Sequence, residues 1–372
     1  MNIGIDASVL EKGITGIGRY LLGILKYLPR VDNKNRYFLF SYRKPFPEGE
    51  FYKSIATGKY LPSKIYAPFW LNLILPYYLK RCEIEVLFSP NHLAPINFYH
   101  RNGWKSIVTI HDVAHRAAAA FKPPVYRNYL DFFLKCVLPA CSRIITVSEF
   151  SKKELVKNYH LPPHKISVIY EFAAEIFKPR KISKEMRGYL ATVLAIPEEF
   201  ILYVGIIENR KNISGILRIA DIIKARNFNI KTLLVGRPGF GFKQIIEQIA
   251  ARENVIYRNH VGDEYLPYLY NMAKVFLFPS FYEGFGLPPL EAMQSGVPVL
   301  ASNAASLPEV IGEGGIMRAP DDYEGFADDI IRLLEDKDFH ALLSKKGIAR
   351  AKKFNPYEIV QSLVAIFNTP EG

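Results

Sequence analysis

The chain has 372 residues, of which 49% are apolar and 23% are charged, and this composition is typical of a globular protein with two domains of ordinary size. Its three cysteines lack metal-ligand spacing, and residues 1–6 contain neither the basic nor the apolar part of a signal peptide, so we expect a cytoplasmic protein. Residues 1–180 carry 26 Lys and Arg but 13 Asp and Glu, a net charge of +13 in a chain whose total is +12. This asymmetry suggests an anionic partner for the first half only, either nucleic acid or an anionic membrane surface, or else the charge serves only solubility. No recognisable nucleic-acid motif accompanies it.

Short apolar runs that look like strands alternate with amphipathic helical stretches twice along the chain. The first set of predicted strands comprises residues 2–5, 37–41, 86–89, 106–110, 143–147 and 166–169. The second set comprises residues 200–204, 231–235, 255–257, 275–278, 297–301 and 315–318. Such alternation is typical of a parallel sheet wrapped by helices. We therefore predict an α/β protein of two Rossmann-like, doubly wound domains that face each other across a cleft, with the proline- and lysine-bearing segment 178–184 as the linker.

The segment between residues 279 and 293 combines several features of an anion-binding loop. It follows a predicted buried strand and contains Gly284 and Gly286, which let the backbone approach a ligand closely. Two prolines then suit the first turn of a helix, whose free N–H groups bind anions. This pattern places Glu283 on the loop and Glu291 in the first helical turn. A phosphate cradle between two carboxylates fits a nucleotide-sugar, which has charge in its middle and hydroxyl groups at both ends.

This segment resembles the two-glutamate signature of glycosyltransferase family 4, and further motifs of that family follow in the family's order. They lie at residues 6–8, 16–20, 109–113, 146–152, 203–205, 210–212, 296–302 and 307–310. The resemblance covers nearly the whole chain and implies the GT-B fold. It also implies that residues 1–180 form the acceptor-side domain, that residues 185–355 bind the nucleotide-sugar, and that a helix at 356–372 crosses back to the first domain.

The resemblance implies which residues act on the substrate. The implied catalytic residues are His111, Arg210, Lys211 and Glu283. Arg210 and Lys211 would stabilise the charge that grows on a departing pyrophosphate, and such stabilisation counts most in the transition state. Glu283 would bind the sugar hydroxyl groups or stabilise positive charge at the anomeric carbon. His111 would lie under the donor sugar, although a histidine at a strand end is also a common structural hydrogen-bonding residue.

A second group of residues is implied to bind the substrate. Glu291 would hold the ribose hydroxyl groups. Gly16 and Gly18 follow the first strand in a loop that opens into a helix, where they either hold a phosphate or form a plain turn. The implied binding residues are Gly16, Gly18, Ser148, Val261, Gly284, Phe285, Gly286, Leu287 and Glu291. No metal and no cofactor are implied, because the basic pair and a helix dipole would do what Mg²⁺ does elsewhere, and the departing phosphate would serve as the base.

Two positions depart from the family pattern. Residues 117–120 are four alanines where relatives carry bulkier side chains, so the acceptor contacts stay open, as does whether this stretch is natural or engineered. Asn259 replaces a usual glycine in the region expected to meet the base. The nucleotide base is therefore left open as well.

We expect a retaining glycosyltransferase that moves a hexose, by preference mannose from GDP-mannose, to a lipid-linked or surface-glycan acceptor. Two alternatives stay open: a sugar-nucleotide epimerase of the same fold, and a non-catalytic nucleotide-sugar-binding component of glycan assembly. The apolar stretch 65–79 is flanked by Lys64, Lys80 and Arg81. It suits either contact with the anionic inner face of the cytoplasmic membrane or burial in the core.

Overall fold

The computed structural model describes residues 1–12, 16–42, 51–58, 69–95, 104–117 and 124–369, and these divide into two compact units. The first unit combines the described residues up to Phe172 with residues 355–369, and the second is Ala173–Phe354. The first unit thus ends eight residues before residue 180, the domain end that the sequence predicts. Among the described residues, no helix has both the length and the apolar character needed to cross a membrane.

A seven-stranded parallel sheet forms the centre of the first unit. Its strands are β1 (Asn2–Asp6), β2 (Arg36–Ser41), β3 (Tyr52–Ala56), β4 (Val86–Ser89), β5 (Lys105–Ile110), β6 (Arg143–Thr146) and β7 (Ile166–Val168). They lie in the order β3-β2-β1-β4-β5-β6-β7. Every residue of β4 is buried, as expected for a strand in a sheet with both faces covered. The strand order reverses between β1 and β4, and sheets of this kind bind ligands beyond the carboxyl ends of the strands at such a point.

Within the described part of this unit, five α-helices connect these strands. They are α1 (Gly16–Val31), α2 (Leu75–Arg81), α3 (Ala114–Ala117), α4 (Pro124–Ala140) and α5 (Glu149–Tyr159). A π-helical turn, Trp70–Ile74, leads directly into α2. The side chains of Trp70, Leu75 and Leu79 enter the same hydrophobic core as Leu134 of α4. The core therefore holds one face of each of these helical segments.

The second unit contains a six-stranded parallel sheet. Its strands are β8 (Phe200–Val204), β9 (Lys231–Val235), β10 (Val255–Arg258), β11 (Val275–Phe278), β12 (Val299–Ser302) and β13 (Ile316–Arg318), in the order β10-β9-β8-β11-β12-β13. All residues of β8 and β11, the two strands at the reversal point, are buried. Eight helices accompany the sheet. They are α6 (Lys184–Val193), α7 (Ile213–Ala225), α8 (Phe242–Ala250), α9 (Leu266–Met272), α10 (Leu287–Ser295), α11 (Leu307–Ile311), α12 (Tyr323–Glu335) and α13 (Lys337–Ala351).

The last helix, α14 (Pro356–Asn368), belongs to the first unit. It begins after Asn355, whose side chain accepts a hydrogen bond from the Tyr357 amide at 3.0 Å. Arg30 of α1 donates to the Tyr357 hydroxyl at 2.9 Å, and the Tyr357 ring meets Tyr27 edge to face, with 5.0 Å between the ring centroids. The chain thus returns to the first unit after completing the second.

All twelve strands predicted from apolar runs occur, with ends that shift by at most two residues. The structure adds β3, an edge strand with no continuous apolar run. The prediction that Gly16 and Gly18 lie in a loop before the helix is wrong, because α1 already begins at Gly16. The N–H groups of the first helical turn have no hydrogen-bond partner inside the helix, so that turn need not continue the apolar face of the rest. A helix can therefore start one turn before its amphipathic pattern. Residues 64–68 and 118–120 of the stretches discussed above, and residues 370–372, lie outside the described residues.

Candidate active site

The loops that follow β8 and β11 carry the predicted catalytic residues of the second unit. After β8 comes a short 3₁₀ turn, Asn209–Lys211, and after β11 comes the loop 279–286. The Phe281 amide donates to the Arg210 carbonyl at 3.0 Å, so the two loops touch directly. Because the carboxyl ends of neighbouring parallel strands lie at one edge of the sheet, Lys211 and Glu283 meet although 72 residues separate them.

Lys211 and Glu283 form a buried ion pair. The Lys211 Nζ lies 2.5 and 2.6 Å from the two carboxylate oxygens of Glu283, and the Ser280 hydroxyl donates to Oε1 of the same carboxylate at 2.7 Å. The two charged side chains are only 10% and 9% exposed. Burial lowers the pKa of Lys211, the charge of Arg210 lowers it further, and the Glu283 carboxylate offsets part of this effect. A second anion placed here would stabilise the lysine ammonium.

Arg210 is held by a carboxylate outside the sequence motifs, that of Glu208. Glu208 is 3% exposed, and its Oε1 accepts from Arg210 Nε at 2.9 Å and lies 2.8 Å from Nη2. Arg210 Nη1 donates to the Tyr282 carbonyl at 2.5 Å and lies 3.5 Å from Oε2 of Glu283. Two cations and two carboxylates therefore share one buried cluster at the reversal point of the sheet. Among the described residues, no group of three or more His, Cys, Asp or Glu side chains is arranged to hold a metal ion.

Asn212, directly after the basic pair, joins the two loops to α7. Its backbone adopts the left-handed conformation (φ 57°), which Asn tolerates better than most residues. Its Nδ2 donates to the carbonyls of Pro279 at 3.1 Å and Pro320 at 2.7 Å, and its Oδ1 accepts from the Gly215 amide at 3.2 Å. This cap fixes the backbone that carries Arg210 and Lys211.

Helix α10 begins at Leu287, one residue before the prolines where the sequence predicts its start, so Glu291 is its fifth residue and lies in its second turn and not in its first. The reason is Gly286, which precedes the helix at φ 114°, and a Cβ there would lie 2.8 Å from Leu307 Cδ2. Pro288 and Pro289 occupy the second and third helical positions and have no N–H. The amides of Gly286 and Leu287 are therefore the donors at this helix start. Glu291 is 1% exposed, and its Oε2 accepts from the Tyr270 hydroxyl at 2.8 Å.

The remaining predicted residues of the second unit differ in how exposed they are. The Phe285 side chain packs against Phe354, edge to face at 5.5 Å between centroids, so only its backbone can face a ligand. Ser306 donates to the carbonyls of Glu283 at 3.0 Å and Phe285 at 2.8 Å, and these bonds hold the loop 279–286 in place. Gly284 is buried and Leu287 is half-buried. Val261, after β10, is buried, whereas the two residues before it are exposed.

In the first unit, His111 follows β5 and makes two hydrogen bonds through its ring. Nδ1 lies 2.9 Å from Glu171 Oε1, and Nε2 lies 2.9 Å from the Pro90 carbonyl. The Tyr20 ring of α1 meets the imidazole edge to face, with 4.9 Å between centroids. Burial alone lowers the pKa of His111, but the hydrogen bond and the charge of Glu171 outweigh it, so the pKa lies above its usual value.

The other predicted residues of the first unit lie at the start of two helices. Ser148 is fully buried, and its side chain accepts from the Ser151 amide at 3.0 Å as the cap of α5. Ser151 in turn donates to the His111 carbonyl at 3.3 Å. Gly16 is exposed with open space around it, and Gly18 is buried, both in the first turn of α1. The binding roles inferred for these residues stay predictions.

Comparison with known proteins agrees with these two units. Residues 14–172 match the family model Glycosyltransferase Family 4, and residues 192–350 match the model Glycosyl transferases group 1. The O-antigen chain mannosyltransferase B of Escherichia coli is 30% identical over 372 residues, which cover 95% of this chain and 96% of that protein.

Solved structures share the fold at low identity. Sucrose-phosphate synthase from Thermosynechococcus elongatus superposes with a TM-score of 0.78 at 19% identity and covers 98% of both chains. WaaG, described as a glycosyltransferase of lipopolysaccharide biosynthesis, superposes with a TM-score of 0.73 at 15% identity and covers 100% of both chains. These similarities confirm the predicted GT-B fold. With its two matching family models and its full-length relative, the chain is a glycosyltransferase that belongs to family 4.

Proposed function

We propose that this enzyme transfers a mannosyl group from GDP-mannose to a lipid-linked glycan during assembly of an O-antigen polysaccharide. The observation that carries the proposal is the 30% identity, over 95% of the chain, to a mannosyltransferase of O-antigen chains. The buried cluster of Arg210, Lys211 and Glu283 supports it, because such a cluster suits a diphosphate that carries a hexose.

In this proposal the donor diphosphate replaces Glu283 as the partner of Lys211. A diphosphate brings more negative charge than one carboxylate, so it competes well for a buried ammonium whose pKa is already lowered. Glu283 is then released toward the sugar hydroxyl groups. Glu291, held by Tyr270, accepts from the ribose hydroxyl groups.

The proposed transfer retains the anomeric configuration and needs no metal ion. Glu283, once released from Lys211, still accepts from Ser280 and binds the sugar hydroxyl groups, so we assign it no role as a nucleophile. We therefore propose that the acceptor attacks the face that the phosphate leaves, and that the phosphate takes the proton. Arg210 and Lys211 stabilise the charge of the leaving group, which is the contribution a metal ion makes in other enzymes.

A donor panel tests this proposal. The protein is incubated with GDP-mannose, UDP-glucose, UDP-N-acetylglucosamine and a rhamnose donor, each with and without a lipid-linked glycan, in buffer with EDTA. We expect release of GDP that depends on the acceptor and is unaffected by EDTA. Turnover of another donor would refute the choice of GDP-mannose, conversion of the sugar without an acceptor would indicate an epimerase, and loss of activity in EDTA with recovery in Mg²⁺ would refute the metal-free mechanism.

We also propose that the first unit binds the anionic surface of the membrane that carries the acceptor. Phe69, Leu73 and Tyr77 recur every four residues along the segment that ends in α2, so they line one helical face, and all three are exposed. Lys80 and Arg81 follow at its end, also exposed. Helix α4 presents a second exposed apolar set, consisting of Val125, Tyr129 and Phe132. Apolar side chains flanked by cations, in a unit with excess positive charge, suit a membrane interface.

Vesicle co-sedimentation tests this second proposal. We expect binding to anionic but not neutral vesicles, and a steep loss of binding between about 50 and 300 mM salt, since the Debye length shortens over this range. Leu73→Glu, and charge reversal at Lys80 with Arg81, should weaken binding. Leu342→Glu, an equally exposed leucine of the second unit, is the matched control. Equal binding to both kinds of vesicle, or equal loss in the control, would refute the proposed surface.

A further inference from the structure

The ring of His111 faces two groups that are hydrogen-bond acceptors. The Pro90 carbonyl, 2.9 Å from Nε2, can only accept, so Nε2 carries a proton. The Glu171 carboxyl group, 2.9 Å from Nδ1, shares one further proton with the ring. An ordinary carboxyl group loses its proton about two pH units below an ordinary imidazole, so that proton belongs on the ring. Both ring nitrogens then carry protons, and His111 is an imidazolium.

The groups around His111 agree with a positive ring. Glu171 and Asp112 are the carboxylates whose charge favours the protonated form. His92 lies close enough to respond to this charge, and burial together with the charge of His111 lowers the pKa of His92 to about 4. His115 beyond it also has a lowered pKa, chiefly because of burial. The Tyr20 ring that meets the imidazole is neutral, and its hydroxyl lies 3.5 Å from that of Thr109.

We propose that Glu171 is a positioning residue that keeps His111 as an imidazolium with both N–H groups directed at fixed acceptors. The side chains of the pair are only 16% and 12% exposed, so solvent screens their attraction weakly. An imidazolium can donate hydrogen bonds and stabilise negative charge, but it cannot take a proton. His111 is therefore not the base for the acceptor hydroxyl group. This consequence for the reaction rests on the proposed function, whereas the charge of His111 does not.

Nuclear magnetic resonance of the full chain labelled with ¹⁵N-histidine measures this charge directly. The protein has eight histidines, and the signal missing from His111→Asn identifies the one of interest. We expect two protonated ring nitrogens at pH 7 in the wild type. Glu171→Gln keeps a hydrogen-bond acceptor but removes the charge, so the titration midpoint should fall by about one pH unit or more. Glu154→Gln, a partly exposed residue of α5 that loses the same charge, is the matched control and should leave the midpoint unchanged.

Steady-state kinetics across pH provide the functional readout. In Glu171→Gln, the fall of kcat at alkaline pH should move to lower pH by the same amount as the NMR midpoint, while kcat at low pH is kept. A merely structural role of Glu171 would not produce this shift. A neutral His111 at pH 7 in the wild type, a midpoint indifferent to Glu171→Gln, or an unmoved kcat limb would overturn the proposal. If no donor is turned over, the NMR result still decides the charge of His111, so failure of the proposed function remains distinguishable.

Discussion

Removal of the Glu283 charge should destabilise the second unit measurably. Glu283→Gln keeps an acceptor for Ser280 but leaves Lys211 and Arg210 with the single carboxylate of Glu208. Breaking a buried ion pair on one side costs about 3–5 kcal/mol, because it leaves a buried charge without its partner. We expect the lower end, about 3 kcal/mol, since the amide retains a hydrogen bond. For a unit of this size, that loss corresponds to roughly 6–12 °C in the melting temperature.

Differential scanning calorimetry of the full chain measures this effect. Glu313→Gln, an exposed carboxylate of the same unit, is the matched control and should change stability by less than about 0.5 kcal/mol. Adding Lys211→Met to Glu283→Gln removes both charges of the pair and should restore most of the loss. Strictly additive effects of the two substitutions, or a Glu283→Gln protein as stable as the wild type, would refute the reasoning.

The same variant carries a pH signature. Burial already lowers the pKa of Lys211, and loss of the Glu283 charge lowers it further. A lysine with a depressed pKa in the folded state costs stability below that pKa, and the cost falls as the pH rises from the folded-state pKa toward the unfolded-state pKa. The stability lost in Glu283→Gln should therefore be smaller at pH 9 than at pH 7. An equal loss at both values would mean that Lys211 is not the stranded charge.

Three further predictions concern single contacts. Tyr270→Phe removes the hydroxyl that orients Glu291, and we expect about three- to tenfold weaker binding of GDP by calorimetry, with unchanged affinity as the contrary result. Arg210→Lys cannot reproduce the fork to Glu208, so kcat should fall far more than the donor KM rises, and the opposite split would argue for ground-state binding. Burial raises the pKa of Asp6 to about 6, so the folded protein loses stability as the pH rises and this carboxyl group ionises. Asp6→Asn should therefore raise the free energy of unfolding by about 3 kcal/mol at pH 8 and by little at pH 4, and equal gains at both pH values would contradict this.

The fold could be predicted largely because its central strands are continuous apolar runs. Phe200–Val204 and Val275–Phe278 are buried on both faces of a covered sheet, and this burial requires apolar side chains at every position. The edge strand Tyr52–Ala56 mixes polar and apolar residues, since only part of it is buried. It is a strand because it pairs with β2, and its own five residues do not predict that pairing.

The candidate site could be predicted only in part, for a related reason. Arg210, Lys211 and Glu283 belong to local patterns that can be recognised in the chain. Glu208 and Glu171 act through the side chains they contact. The partner of Glu171 is His111, 60 residues away in the chain, and no helix or strand periodicity predicts a contact over that separation. The predicted helical turn for Glu291 is wrong because the helix start depends on the positive φ of Gly286, which composition does not determine.

The central proposal, mannosyl transfer from GDP-mannose, is tested most directly by isolating the product. The wild-type protein and Glu283→Gln are incubated with GDP-mannose and a lipid-linked glycan in EDTA, and the new linkage is examined by NMR. We predict one added mannosyl group in the α configuration of the donor from the wild type, and very little from Glu283→Gln. A β-linked mannose, or no mannose where another nucleotide-sugar donates its hexose, would contradict the proposal.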